Sequence, residues 1–486
     1  MTIRGYVEQP SPRPGEPFTL RVATDAPRFR VEFYRCGAEL TLCGGTGPLA
    51  GRDAPLHLPF QDWGEPGVDL YGHELPAWPA YRFVVPPHWR SGVYVAVLIE
   101  GDDPAPRPAT VDARHGRALF VVRAPAGAPT GPILYKIPLL TYHAYNVVDG
   151  PHYDRKAGAG HWCLYNTPDA DDVPCPISPG VSLHRPGGGT GGTPYDIDLN
   201  PDPFDPTPRQ TFQHWDARFV AWLERAGYRA DYCTDVDLHR DGLAQLSPYR
   251  LLVSVGHDEY WSDEMRDALD AFVASGGNAA FFGGNTCWWR VVFHDDVTFS
   301  RVQYWHEAGR PENTSIGVSF RNGGERDRNE HPIPVGYRVQ HDDHWLYRGT
   351  GLSDGDVFGA GPDEYLIGYE CDGAEFDRGD LAAGRPVRPT GADGTPDDFT
   401  ILAVGDTRPS GWGFGNAAAT LGLLGDPERP GPGRRGPERR GPERRGPERR
   451  GTVFTAATTD WARVLTAGTT GVLDRITRNV LDRLTE

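Results

Sequence analysis

Leu251-Leu252-Val253-Ser254-Val255-Gly256 is a near-continuous apolar run, the signature of a strand buried on both faces. After it, Met265, Leu269, Phe272 and Val273 fall on one helical face, Ser262 is a suitable N-cap, and Asp263 and Glu264 occupy the first turn. A second apolar run, Asn278-Ala279-Ala280-Phe281-Phe282-Gly283-Gly284, follows at once. Strand, amphipathic helix and strand in this order read as a parallel α/β unit. The pattern extends upstream through "ILYKIPLL" (strand), "QHWDARFVAWLERAG" (helix) and "YRADYCT" (strand).

Residues 1–127 follow a different grammar. "PFTLRVAT", "RFRVEFYRCG", "YRFVVP", "SGVYVAVLIEG" and "GRALFVVRA" are short β-rich runs between Pro/Gly turns, which suits a β-sandwich. "APAGAPTGP" reads as a linker into an α/β domain over 128–486. Two domains also follow from length, because 486 residues exceed what one core usually supports. From about 296 to 430 β-like, Gly-rich sequence returns as an insertion. Within the loop at 433–451, "GPERRGPERRGPERRG" (436–451) is a five-residue repeat too rich in Pro and Arg to form a core. "VLDRITRNVLDRL" closes the chain as an amphipathic helix.

Composition removes several classes. A net charge of −17 argues against nucleic acid as partner. Cys36, Cys43, Cys163, Cys175, Cys233, Cys287 and Cys371 are scattered and odd in number, with no C-x-x-C, against a zinc cage or a disulfide framework. No stretch is apolar enough to span a membrane and the first residues carry no signal-peptide core, so a cytoplasmic soluble protein is expected.

Polar residues collect where strands should end, the edge at which open α/β sheets bind ligands. Thr141 to Asn146 follow the first strand, Asp235, Asp237 and His239 the second, His257 to Tyr260 the third, and Asn285 to Arg290 the fourth. Cys287 lacks the G-x-C-x-G elbow of a cysteine nucleophile, and neither G-x-S-x-G nor H-E-x-x-H occurs. His257, Asp258, Glu259 and Tyr260 are of types that bind hard or borderline ions. The same residues could equally serve as helix N-terminal charges and strand-end hydrogen bonders.

"GHDEYWS", "AFFGGNTCWWR", "HWLYRGTGLSDGD", "LIGYECDG" and "VFTAATTDWARVL", with "TYHAYN" and "LERAGYRADYCTDVDLH", resemble the large (β) subunit of N,N-dimethylformamidase and its wider family. The resemblance implies an N-terminal β-sandwich followed by an amidotransferase-like (flavodoxin-like) α/β domain. It also implies a mononuclear, ferric iron held by two tyrosines and a glutamate, with metal-activated water cleaving an amide C–N bond. Carried over, the metal ligands are Tyr260, Tyr304 and Glu370, with Glu259, Tyr337, Tyr369 and Glu364 as competitors. Two phenolates and a carboxylate would balance ferric iron, which favours the phenolate form. Asn285 would polarise the carbonyl, and His257 with Glu259 would carry protons. His143, Tyr145, Asn146 and Trp288 would line the substrate pocket. A small partner subunit or a homo-oligomer is expected. Two other readings stay open: a non-catalytic ligand- or carbohydrate-binding protein, and an oxidative tyrosinate-iron enzyme.

Overall fold

The computed structural model describes residues 3–54, 78–101, 116–146, 164, 180–190, 207, 209–326, 334–362, 364–428, 451–467 and 471–486. Most of the arginine-rich repeat, Cys163 and Cys175 lie outside them. The chain divides into two compact units. One comprises Met1–Thr130, Ile137–Asp237 and Val291–Val302; the other comprises Gly131–Lys136, Leu238–Arg290 and Gln303–Glu486.

In the first unit, Arg4–Val7, Pro17–Ala23 and Ala80–Val84 form one antiparallel sheet. Thr41–Gly45, Arg28–Cys36, Gly92–Glu100 and Gly116–Val122 form a second. Alternate residues of both point into one core, where Phe18, Leu20 and Val22 meet Phe29, Val31, Phe33 and Phe120. Phe18 and Phe120 stack at 5.1 Å. Burial of each large side chain here contributes about 1.5–3 kcal/mol. All five β-rich runs of the N-terminal sequence are strands.

In the second unit, Ile133–Ile137, Leu251–His257, Asn278–Gly284 and Val453–Thr455 run parallel. Ala418–Leu424, Phe399–Asp406, Tyr337–Val339 and Val357–Phe358 continue the same sheet antiparallel. The later β-rich sequence therefore extends the sheet. Every residue of Leu251–His257 is buried, as its near-continuous apolar run predicts. The helix between the parallel strands Leu251–His257 and Asn278–Gly284 spans Asp263–Ser275. The Met265 N–H donates to Ser262 Oγ (3.3 Å) at its start, and Gly276, at φ 105°, ends it in the left-handed region.

Two expectations are corrected. The strand read through Leu140 ends at Ile137, and Leu139–Ala144 is a helix. Pro138 cannot continue the ladder, and both Asp235 carboxylate oxygens accept the new helix's first free amides, Leu139 N–H (2.9 Å) and Leu140 N–H (3.1 Å). The helix read over 213–227 is two pieces, Phe212–Trp215 and Ala217–Arg225, divided at Asp216. The buried Asp216 carboxylate accepts the Tyr142 hydroxyl. Among the described residues no helix is long and apolar enough to cross a membrane.

Candidate active site

His257 is the last residue of its strand, beyond Gly256 at φ 70°. The neighbouring strand approaches so closely that a Cβ at Gly283 would lie 2.6 Å from the Gly256 carbonyl oxygen. One residue on, a Cβ at Gly284 would lie 2.9 Å from both Glu370 O and Thr459 N. Glycine at 284 thus admits a segment from far along the sequence. Glu370–Gly373 is held there by Thr459 N–H donating to Glu370 O (3.2 Å) and Asp372 N–H donating to Ala457 O (3.1 Å).

Three side chains converge on one atom. His257 Nε2 lies 3.3 Å from Glu259 Oε2, 3.0 Å from Glu370 Oε2 and 3.3 Å from Asn285 Nδ2. All four residues are buried. Burial works against the charged imidazole, but Glu370 and Glu259 outweigh it and raise the His257 pKa to about 10. The Glu370 contact is an ion pair by distance and not an aligned hydrogen bond, since Oε2 accepts none from a described residue. One Nε2 proton faces two buried carboxyl groups.

That protonation state fixes the Asn285 amide. An Nε2–H cannot receive a hydrogen bond from Nδ2, and Asn285 Oδ1 is buried without an acceptor's usual donor among the described residues. Turning the amide over gives Oδ1 to His257 and frees the NH2 as a donor into the site. Asn285 itself sits at φ 49° and Cys287 at φ 57°. Asp372 holds this turn: Oδ1 accepts Asn285 N–H and Oδ2 accepts Thr286 N–H, both at 3.1 Å. Burial raises the Asp372 pKa to about 8 against those two amide donors.

Asp258 plays a different part from its neighbours. It accepts Lys136 Nζ (2.8 Å), Ser254 Oγ (2.6 Å) and Trp261 Nε1 (3.1 Å). Lys136 and Asp258 are both buried, and Lys136 also lies over the Trp261 ring at 4.7 Å. This pair anchors the turn that carries His257 and Glu259. Lys136 and Asp372 were not among the candidates read from sequence; a lysine inside the apolar run "ILYKIPLL" was the available signal.

Tyr260 is fully buried and opens the strand Tyr260–Ser262. Trp289 N–H donates to Glu259 O (2.9 Å), and Trp305 N–H donates to Trp288 O (3.2 Å). The segments bearing Tyr260 and Tyr304 therefore flank the one bearing Trp288 and Trp289, two strand spacings or about 10 Å apart. The half-buried Tyr304 ring packs on Trp289 (3.9 Å), Trp288 (4.5 Å) and His306 (5.4 Å). Among the competing ligands, the Tyr337 hydroxyl donates to Ala456 O (2.6 Å), and burial pushes its pKa well up. Tyr369 meets His257 edge-on at 6.4 Å, and Glu364 is half-buried in Glu364–Tyr365. The buried Cys287 thiol is likewise pushed up, away from nucleophile chemistry.

His143, Tyr145 and Asn146 belong to the first unit. The His143 carbonyl accepts Arg185, and Asn146 Nδ2 donates to Pro186 O (2.7 Å). Asp237 accepts Ser11 Oγ (2.6 Å) and pairs with Arg123 (3.0 Å), and His239 Nδ1 contacts Ser262 Oγ (2.8 Å). Among the described residues no group of three or more His, Cys, Asp or Glu is arranged to hold a metal. A tyrosine-based set is a different donor class.

Residues 70–472 match the family described as N,N-dimethylformamidase beta subunit-like, C-terminal. The chain belongs to this family. Its dimethylformamidase-type relatives include the N,N-dimethylformamidase beta subunit of Alcaligenes sp, 27% identical over 347 residues, covering 63% of this chain and 42% of the relative. The beta subunit of Paracoccus aminophilus is 27% identical over 197 residues, covering 35% and 25%. The match spans less than half the length of these relatives. A solved CARDB domain from Pyrococcus furiosus covers 25% of this chain and 91% of its own length, with a TM-score of 0.14 and 10% identity, too remote to support any argument. His257, Glu259, Tyr260, Asn285, Tyr304 and Glu370 all fall inside the dimethylformamidase-like region.

Proposed function

We propose that this chain is an iron-dependent hydrolase that cleaves the C–N bond of a small or N-substituted amide, on an amidotransferase-like α/β domain. The convergence of Glu259, Glu370 and Asn285 on His257 Nε2 carries the reading. Two buried carboxylates facing one imidazole favour a further cation, and a phenol three residues from His257 supplies the donor type that ferric iron prefers. Tyr260, Tyr304 and Glu370 would hold the iron. When bound, it supplies Lewis-acid polarisation of the amide carbonyl and a water of lowered pKa.

The remaining steps belong to the chain's own side chains. The Asn285 NH2 donates to the developing carbonyl oxyanion. Glu259 takes a proton from the attacking water, and His257, held protonated by its two carboxylates, returns one to the departing amine nitrogen. Net reaction of a formamide with water gives formate and an amine. The relatives are named beta subunits, and we extend to this chain a partner subunit or self-association.

The test is release of dimethylamine and formate, in equal amounts, from N,N-dimethylformamide by the iron-loaded chain without oxygen. Release only with oxygen would favour the oxidative reading, and no release under either condition would overturn hydrolysis of this substrate.

A further inference from the structure

Within the first unit lies a cavity of about 650 Å³, well inside the usual range for small-molecule sites. Its wall carries three guanidinium groups, Arg35, Arg90 and Arg229, against one carboxylate, Glu224. In a chain with 66 acidic and 49 basic side chains, such a local excess of positive charge runs against the background. Glu224 is already committed: Oε1 pairs with Arg35 Nη2 (2.5 Å) and Oε2 accepts Ala38 N–H (2.8 Å). Arg90 and Arg229 are exposed and form no ion pair with a described residue.

Two further donors point the same way. The Trp89 indole Nε1 and Arg35 Nε are buried and have no acceptor among the described residues. Both residues line the cavity, so these donors belong to its wall. Pro87, Tyr228 and Tyr232 give the lining an apolar and aromatic part, beside the polar His88, Ser91 and Thr130.

We propose that this cavity binds a small organic anion, a carboxylate carried on an apolar body, with Arg90 and Arg229 holding the charge and Trp89 and Tyr228 the body. The proposal does not depend on the hydrolase reading. Guanidinium forks suit carboxylate geometry, and the aromatic wall supplies the burial that a bare inorganic anion cannot use.

The test is calorimetric titration of the full chain with 1-naphthoate and with the neutral 1-naphthylmethanol. Saturable one-to-one binding of naphthoate is expected, about tenfold tighter than of the alcohol. The double variant Arg90→Glu/Arg229→Glu should weaken naphthoate by at least about tenfold while circular dichroism stays unchanged. Equal affinity for acid and alcohol, unaltered affinity in the double variant, or no saturable binding overturns the proposal.

Discussion

His257 Nε2 is the atom around which the site is organised, and the groups competing for it determine what each neighbour does. If the Asn285 amide faces the substrate carbonyl, Asn285→Ala removes one oxyanion donor. Its kcat on N,N-dimethylformamide should fall about 10²–10³-fold while KM changes little, as steady-state kinetics would show. Lys136→Met should act on stability instead. It leaves Asp258 charged and buried without its partner, at a cost of about 3–5 kcal/mol, measured by denaturant unfolding. The double variant Lys136→Met/Asp258→Asn should recover part of that loss. His257, Glu259 and Tyr260 were legible in the sequence because they follow one apolar run within four positions. Asp258 looked equivalent to them, and only its contact with Lys136, 122 positions away, shows that it is committed to a buried ion pair. Asp372 was invisible for the same reason: its partners Asn285 and Thr286 lie 87 and 86 positions upstream.

The strands and helices deliver these residues by close approach at defined points. Gly284→Ala would set a Cβ against the Glu370 carbonyl and the Thr459 amide, both backbone atoms that cannot swing aside. A loss of about 1–3 kcal/mol is expected, read by thermal unfolding. Elements with strong periodicity were readable: the capped helix Asp263–Ser275, the C-terminal helix Val472–Thr485 and the five sandwich strands. The failures came where a side chain from elsewhere intervened. Asp235 supplies the acceptors that let a helix start after Pro138, and the helix break at Asp216 accompanies a bond to Tyr142. Neither is written in local pattern.

At the scale of the whole molecule, Leu424 pairs with Val453 across the ends of the loop that contains the arginine-rich repeat. Those paired ends close the loop whatever its length, and loop entropy changes by only about 0.6 kcal/mol per doubling. Replacing residues 431–450 by a short Gly/Ser linker should leave the unfolding midpoint within a few degrees, as scanning calorimetry would show. The same global view places Tyr260, Tyr304 and Glu370, drawn from three distant segments, in one unit. If these oxygen donors hold iron, as proposed, elemental analysis of the purified chain and of Tyr260→Phe will show it. Iron is expected in the wild type, with loss of most of it in the variant and unchanged circular dichroism. Equal iron in both proteins, or none in either after loading, would contradict it.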